Sequence, residues 1–281
     1  MRAIPYQLIV QTVAALCGKA TTTLPRDVQA ALAAAHSAET SPLGKTFLSQ
    51  CLDNARIAAA DKIPICQDTG LAVFFVEIGS QISIIGGELV AAINEGTAAG
   101  YTRHFLRKSV VDDPLYDRVN TKDNTPAFIH LEIVEGDTFA ITFAPKGGGS
   151  ENMSRIAMLS PGDGEAGIID FVVKAVVQAG ANPCPPVVVG VGIGGTFEKC
   201  ATLSKKALLR TIGESHPDER YARLEKLLLE KINASGVGPQ GLGGDTTALA
   251  VHIETLPCHI ASLPVAVNLN CHAARHIRAE L

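Results

Sequence analysis

Three of the seven cysteines lie in loop-like sequence, where a thiolate can bind a metal. Cys66 lies within residues 64–70, Cys184 is followed by two prolines, and Cys271 is followed by a histidine. They are too far apart for a local zinc motif, and no two cysteines have C-x-x-C spacing. The fold would have to assemble such a site from distant loops. Three thiolates on a four-iron cluster would leave one iron open as a Lewis acid, and spacing alone leaves this hypothesis open.

The other four cysteines indicate less about function. Cys17, Cys51 and Cys200 fall in predicted helices, where a buried small hydrophobic side chain is the expected role. Cys258 lies beside His259 in a segment without helical pattern, and its role stays open.

Two glycine-rich segments could hold an anion. Gly190, Gly192 and Gly195 follow an apolar run and precede a predicted helix, as in a dinucleotide fingerprint. Residues 213–217 form a turn where that fingerprint needs an acidic residue, so a tight strand-to-helix turn is favoured over a nicotinamide-dependent oxidoreductase. Residues 146–150 lack the second half of a P-loop, but their N–H groups could bind a carboxylate or phosphate.

The composition excludes several classes of protein. The 281 residues are 47% hydrophobic and 19% charged, with a mean hydropathy of +0.21, which excludes a disordered chain. A net charge of −4, 5% aromatic residues and the lack of a basic stripe argue against a nucleic-acid partner. No apolar run reaches the ~18 residues of a membrane span. We expect a cytoplasmic protein with reduced thiols that binds neither nucleic acid nor a membrane.

The apolar pattern predicts an α+β fold, with mixed helices and small β-sheets in a single domain over residues 1–281. Two alternating segments around residues 135–137 predict a β-hairpin. Predicted helices cover an amphipathic segment before Cys17 and residues 26–36, 43–60, 88–99, 167–179, 196–210 and 217–234. Predicted strands cover residues 71–78, 127–134, 138–143, 187–191, 251–254 and 263–269.

Four motifs, in chain order, resemble class I (iron–sulfur) fumarate hydratase. They are Pro-Ile-Cys-Gln-Asp-Thr-Gly at 64–70, Lys-Gly-Gly-Gly-Ser at 146–150, Cys-Pro-Pro at 184–186 with the glycines of 190–195, and His-Ile-Ala-Ser-Leu-Pro-Val-Ala-Val at 259–267 with Cys-His-Ala at 271–273. The chain is most similar to the separate α subunit of two-subunit members, a family that includes the L(+)-tartrate dehydratase α subunit. The resemblance implies a single catalytic domain like the N-terminal domain of class I fumarases.

The resemblance also implies a site. Cys66, Cys184 and Cys271 would ligate an oxygen-sensitive 4Fe–4S cluster, whose open iron would bind the hydroxyl and a carboxylate oxygen of the substrate. Asp68 would lie in the substrate pocket, and His259 would assist proton transfer, paired with Asp68. The implied substrate-binding residues are Gln67, Asp68, Arg107, Gly147 and Gly148.

The residues alone leave other roles open for Asp68, His259 and His272. Asp68 could form an Asx turn ahead of Thr69, and His259 could be a satisfied core histidine. His272 could hold a loop carbonyl, and Arg275 has no assigned role.

The implied activity is the reversible hydration of fumarate to L-malate. The alternative is the dehydration of L(+)-tartrate to oxaloacetate; a weaker one is a non-catalytic cluster-binding subunit or electron carrier. Electron carriers ligate every iron, so three loop cysteines favour the hydro-lyase. The resemblance also implies a separate β subunit that completes the site for a small dicarboxylate, in an α2β2 assembly, since the chain ends soon after Cys271 with few cations near the motifs.

Overall fold

The computed structural model describes residues 1–281 and has eight α-helices and ten β-strands. The helices are α1 (Tyr6–Thr22), α2 (Arg26–Ala38), α3 (Pro42–Asp61), α4 (Leu89–Arg103), α5 (Gly148–Glu151), α6 (Gly164–Ala179), α7 (Phe197–Ala207) and α8 (Glu219–Asn233). The strands are β1 (Arg2–Pro5), β2 (Leu71–Gly79), β3 (Ile82–Ile85), β4 (Phe128–Val134), β5 (Phe139–Lys146), β6 (Arg155–Leu159), β7 (Val187–Gly194), β8 (Ala248–Leu256), β9 (Leu263–Asn270) and β10 (Ile277–Glu280). This mixture of helices and small sheets confirms the predicted α+β fold. None of the helices is both long and apolar enough to cross a membrane.

The chain forms two units, each built from segments that are separate in the sequence. The first unit contains Met1–Pro25, Ala55–Gly148 and Arg275–Leu281, and the second contains Arg26–Asn54 and Gly149–Ala274. Because these segments interleave, a shift in composition at one point of the sequence could not mark the division. A single catalytic domain over residues 1–281 stays a prediction.

The first unit contains a four-stranded sheet with the strand order β10–β5–β2–β4. Helix α1 packs on α4 and on β5, which is buried along its whole length. At Gly100 of α4 an added Cβ would lie 2.8 Å from the Cβ of Cys17 in α1, so the two helices approach closely. The antiparallel β2–β5 ladder brings the start of β2 to the end of β5.

The predicted β-hairpin over residues 127–143 is wrong. Strands β4 and β5 both form, but β2 lies between them and pairs with β4 in parallel and with β5 in antiparallel. The N–H groups of Gly79 and Gln81 donate to the carbonyls of Thr138 and Gly136, so the expected turn packs against the end of β2. The largely buried β2 takes the central position, and the largely exposed β4 takes the edge.

The second unit contains a four-stranded sheet with the strand order β6–β9–β7–β8. β7 is buried throughout and pairs with β8 in parallel and with β9 in antiparallel. Helix α7 packs so closely on β7 that an added Cβ at Gly190 would overlap the backbone oxygen of Ser204, and one at Gly192 that of Cys200. Helix–strand packing therefore explains the glycine pattern that resembled a dinucleotide fingerprint.

Four short strands are not predicted by the sequence. β1 and β3 form a separate parallel pair, and β6 and β10 are edge strands of the two larger sheets. Each has 4 or 5 residues, which is too short for an alternating pattern to stand out.

A buried carboxylate holds the glycine-rich loop at residues 241–247 of the second unit. Glu39 is 1% exposed, and its oxygens accept the N–H groups of Ser41, Asp245 and Thr246. Burial raises the pKa of Glu39, but the hydrogen bonds from these N–H groups outweigh burial, and the pKa lies below its usual value. The conformation of the loop therefore depends on an ionised Glu39.

Gly192→Ala should destabilise the chain, because its new Cβ would overlap the backbone of α7, which cannot rotate away. Overpacking a core costs about 1–3 kcal/mol, and we expect a loss at the upper end of this range in the free energy of unfolding, measured with urea. Gly162→Ala is the matched control, since its Cβ would meet only Ser160 Oγ at 4.0 Å. Equal stability of the two variants would contradict the packing explanation.

Glu39→Gln should lower the free energy of unfolding at neutral pH by about 2 kcal/mol, because hydrogen bonds to a charged acceptor are lost. A carboxyl group with a lowered pKa stabilises the fold above the pKa of the unfolded chain, and this contribution disappears as pH falls through the folded-state pKa. The difference between wild type and variant should therefore shrink below about pH 4.5 in urea titrations. Glu165→Gln is the control, since Glu165 is exposed. A difference for Glu39→Gln that does not vary with pH would show that the charge of Glu39 does not hold the loop.

Candidate functional site

Two loops of the first unit that carry motifs lie side by side. Leu71 at the start of β2 pairs with Lys146 at the end of β5, so the 66–70 loop adjoins the glycines that follow β5. Gly70 has a φ of +79°, and an added Cβ would lie 2.7 Å from backbone atoms of Lys146. Only glycine suits this position, because the backbone is left-handed and the neighbouring strand is too close for a side chain.

The Asp68 carboxylate joins these two loops. Its Oδ2 accepts the N–H of Gly148 at 2.8 Å, and its Oδ1 accepts the N–H of Gly70 at 3.0 Å. An added Cβ at Gly147 would lie 3.3 Å from Asp68 Oδ2, so the glycine permits this close approach. The Asx-type contact considered for Asp68 is present, and the same carboxylate also binds the glycine loop.

The backbone of the 66–70 loop is also held by hydroxyl groups. Tyr101 of α4 is fully buried, and its hydroxyl donates to the carbonyls of Thr69 at 3.1 Å and Gly70 at 3.0 Å. The Thr69 hydroxyl donates to the carbonyl of Arg107 at 3.1 Å. The loop after Cys66 therefore has a fixed path, and Arg107 is attached to it through its backbone.

Gln67 and Arg107 both have exposed side chains in the first unit. Their exposure leaves the amide and the guanidinium accessible to a ligand. Their roles in substrate binding stay predictions.

A buried arginine supports the same loop. Arg275 is 3% exposed, and its Nη2 donates to the carbonyl of Asp68 at 3.2 Å. Its Nε and Nη1 are buried without a hydrogen-bond partner. The sequence leaves this arginine unassigned, yet it is the guanidinium that contacts Asp68.

Cys184 and Cys271 lie near each other in the second unit, together with Cys51 of α3. The pKa of Cys51 is raised to about 12, first by burial and then by the nearby Cys271 and Cys184 thiols. Cys184 and Cys271 are half-buried, whereas Cys51 is buried. Cys184 also has a φ of 54°, a left-handed conformation that few non-glycine residues adopt. The fold therefore brings together two of the three predicted ligands.

His272 connects the loops that carry these two cysteines. Its backbone N–H donates to the carbonyl of Cys184 at 3.2 Å, and its Nδ1 lies 3.1 Å from the same oxygen. A carbonyl can only accept, so Nδ1 carries a proton. The ring also packs edge-on against Phe47, with ring centroids 5.5 Å apart. The structural role considered for His272 is confirmed.

His259 is exposed in the turn between β8 and β9. Its Nδ1 accepts the N–H of Ala261 at 3.1 Å, and its carbonyl accepts the N–H of Ser262 at 2.9 Å. Because Nδ1 accepts, the neutral imidazole carries its proton on Nε2. The alternative of a core histidine is therefore wrong.

The helical cysteines have the buried role expected of them. Cys17, Cys51 and Cys200 are buried, and burial raises the pKa of Cys200 to about 12. Cys258 is exposed and its thiol donates to the carbonyl of Ser262 at 3.3 Å. None of the seven cysteines forms a disulfide.

Some predicted groupings stay predictions, because their members belong to different units. They are the joint ligand set of Cys66 with Cys184 and Cys271, and the Asp68–His259 pair. No three or more His, Cys, Asp or Glu side chains are arranged as ligands of a single metal ion.

Sequence reasoning misses two residues that hold the 66–70 loop. Tyr101 looks like an ordinary apolar residue of α4, and Asn124 lies in a polar loop, where asparagine is common. Asn124 is fully buried and donates to the carbonyl of Gly70 at 3.2 Å. The sequence gives no signal for either contact, because both depend on distant segments of the chain.

Comparison with known proteins covers nearly the whole chain. A family model described as Fumarate hydratase (Fumerase) matches residues 10–280. The L(+)-tartrate dehydratase subunit alpha of Escherichia coli strain UTI89 is 37% identical over 271 residues, which is 95% of this chain and 88% of that protein. A Methanocaldococcus jannaschii protein, to which the same name is given provisionally, is 46% identical over 258 residues, 90% of each chain. These matches show that the chain belongs to the fumarate hydratase family of hydro-lyases.

Proposed function

We propose that this chain is the α subunit of an iron–sulfur hydro-lyase that catalyses the reversible hydration of fumarate to L-malate. The observation that carries the proposal is the Asp68 carboxylate, which binds both the glycine loop and the loop of Cys66. This contact joins two of the four motifs typical of the family into one local arrangement. A hydro-lyase that uses an iron–sulfur cluster would need such an arrangement, with a thiolate ligand, a carboxylate and backbone groups close to one small substrate.

The donor chemistry of Cys66, Cys184 and Cys271 fits a 4Fe–4S cluster. Thiolates are the usual ligands of such clusters, and these three thiols are half-buried in loops. The buried Cys17 and Cys200 fit less well, since burial raises their pKa and so opposes the thiolate. A four-iron cluster is larger than a single ion, so its ligands stand farther apart than those of one metal ion. When bound, a cluster with one open iron supplies a Lewis acid that polarises the C–O bond of the substrate hydroxyl.

Asp68 and His259 are the proposed proton-transfer pair. Each oxygen of Asp68 already accepts one backbone N–H, which fixes the carboxylate and leaves each oxygen with acceptor capacity. The neutral His259 imidazole has its proton on Nε2, so it can donate to a carboxylate. We therefore assign to His259 Nε2 a hydrogen bond to the Asp68 carboxylate, through which the pair would assist proton transfer.

Binding of the substrate carboxylates is assigned to Gln67, Arg107 and the two glycines. The exposed Arg107 guanidinium can bind a carboxylate with two parallel hydrogen bonds. The N–H of Gly148 is used by Asp68, so Gly147 and Gly148 would act mainly by letting the substrate approach the backbone.

A separate β subunit is the proposed partner, in an α2β2 assembly. A dicarboxylate brings two negative charges, and burying a carboxylate without a cationic partner is costly. Arg107 alone does not match both charges, and we place the missing cations and the base for the carbon-bound proton on the partner. The α-subunit names of the relatives support such a partner. Oxygen-sensitive chemistry also suits the reducing cytoplasm.

L(+)-tartrate is the second candidate substrate, and the names of the relatives favour it. Tartrate differs from malate by one hydroxyl group, and such a group in a pocket changes discrimination by only ~1–3 kcal/mol. We keep fumarate and malate first because the 146–150 and 241–247 glycine loops resemble those of fumarases.

Cys66→Ser, Cys184→Ser and Cys271→Ser should each abolish stable cluster binding, because each removes one of three thiolate ligands. The measurement is iron and sulfide content together with the visible absorption of the anaerobically reconstituted chain. Cys258→Ser is the control, since this exposed thiol also lies in a loop but should leave the iron content unchanged. Full cluster content in any of the three ligand variants would remove that cysteine from the set.

The isolated, reconstituted chain should dehydrate little or no L-malate or L-tartrate, whereas the complex with its β subunit should dehydrate L-malate faster than L-tartrate. The isolated chain should be inactive because Arg107 alone does not match the two negative charges of the substrate. The measurement is an anaerobic dehydration assay on both substrates, with and without the partner. Full activity of the isolated chain would contradict the proposal that the β subunit completes the site. Faster turnover of L-tartrate than of L-malate would make tartrate the assigned substrate.

A further inference from the structure

Arg275 differs from the other arginines whose contacts are described in this protein. Arg278 lies on the surface, ion-paired with Glu77, and Arg210 is ion-paired with Glu225 at 2.5 Å. Arg275 is 3% exposed and has no carboxylate within salt-bridge distance. Its one hydrogen bond goes to the carbonyl of Asp68.

The burial of Arg275 is unfavourable for folding. A guanidinium has five N–H donors, and here Nε and Nη1 are buried without a partner. A buried charge with incomplete hydrogen bonding is unfavourable, and replacing such groups by apolar ones of similar volume is often neutral or stabilising. A residue kept at such a cost is expected to serve something other than stability.

The surroundings of Arg275 connect it to Asp68 rather than to the core. The hydroxyl of Tyr101 is held between the carbonyls of Thr69 and Gly70, the two residues after Asp68. Burial is the main cause of the raised pKa of this hydroxyl, and the charges of Arg275 and Asp68 also affect that pKa. Both charged groups therefore lie close to the Tyr101 hydroxyl. Arg275 therefore donates a hydrogen bond to the Asp68 backbone, while the Asp68 carboxylate accepts one from the glycine loop.

We infer that Arg275 is a positioning residue of this site, which acts through Asp68 by fixing the backbone from which that carboxylate reaches the glycine loop. The inference rests on the proposed function of Asp68. A displacement of about 1 Å at a reacting group can cost roughly a hundredfold in rate. A donor to the Asp68 carbonyl is therefore worth keeping in spite of its burial.

Arg275→Met tests this, because methionine has a similar length without the charge or the donor. In the isolated chain we expect a urea midpoint equal to or above that of wild type. Amide hydrogen exchange at Gly70 and Gly148, whose N–H groups bind Asp68, should be at least about tenfold faster. In the complex with the β subunit, kcat should fall roughly a hundredfold with KM within about twofold. Arg275→Lys should restore part of kcat, since lysine keeps a donor and the charge.

Arg278→Met is the matched control, three positions along the same segment and exposed on the surface. It should change neither the exchange of Gly70 and Gly148 nor kcat. A lower urea midpoint for Arg275→Met with unchanged exchange would mark an ordinary structural residue and overturn the inference, as would an unchanged kcat. If the wild-type complex dehydrates neither substrate, the proposed function fails, and the exchange and urea measurements on the isolated chain still decide the role of Arg275.

Discussion

The contact between the Asp68 carboxylate and the N–H groups of Gly70 and Gly148 is the interaction on which the candidate site depends. It joins the loop before β2 to the loop after β5, and it is possible only because these strands are paired so that Leu71 faces Lys146. The hydrogen bonds that Tyr101 and Arg275 donate hold the backbone carbonyls of Asp68 and of the two residues that follow it. Sheet register thus controls this contact, since a shift of one residue would separate Asp68 from the N–H of Gly148.

The loops of the second unit that carry cysteine motifs are held by different contacts. There, the loops of Cys184 and Cys271 are linked through His272, whose backbone and ring both contact one carbonyl. The glycines of β7 let α7 approach the strand, and the ionised Glu39 holds a neighbouring loop. Backbone carbonyls and N–H groups, rather than side-chain pairs, are the main points of attachment in both units.

The sequence predicts the helices and the longer strands well, because those elements have enough residues for a period to be recognised. It fails at β4 and β5, where two alternating segments with a glycine between them indicate a hairpin although β2 separates them. Which strands pair depends on which of them takes the buried central position of the sheet, and the local pattern of one segment does not indicate this. The motifs identify Cys66, Asp68 and the glycine loop, but not Tyr101 or Asn124, because buried contacts between distant segments have no signature in one sequence.

The interleaved path of the chain has a consequence for the order of events during synthesis. β10 pairs with β5, and Arg275 contacts Asp68, yet residues 275–281 follow the whole second unit in the chain. A ribosome therefore makes all of the second unit before the first unit can gain its last edge strand and its buried guanidinium. Until then the 66–70 loop lacks the hydrogen bond that Arg275 donates to the carbonyl of Asp68. The site can be completed only late, after more than half of the chain has already had time to fold.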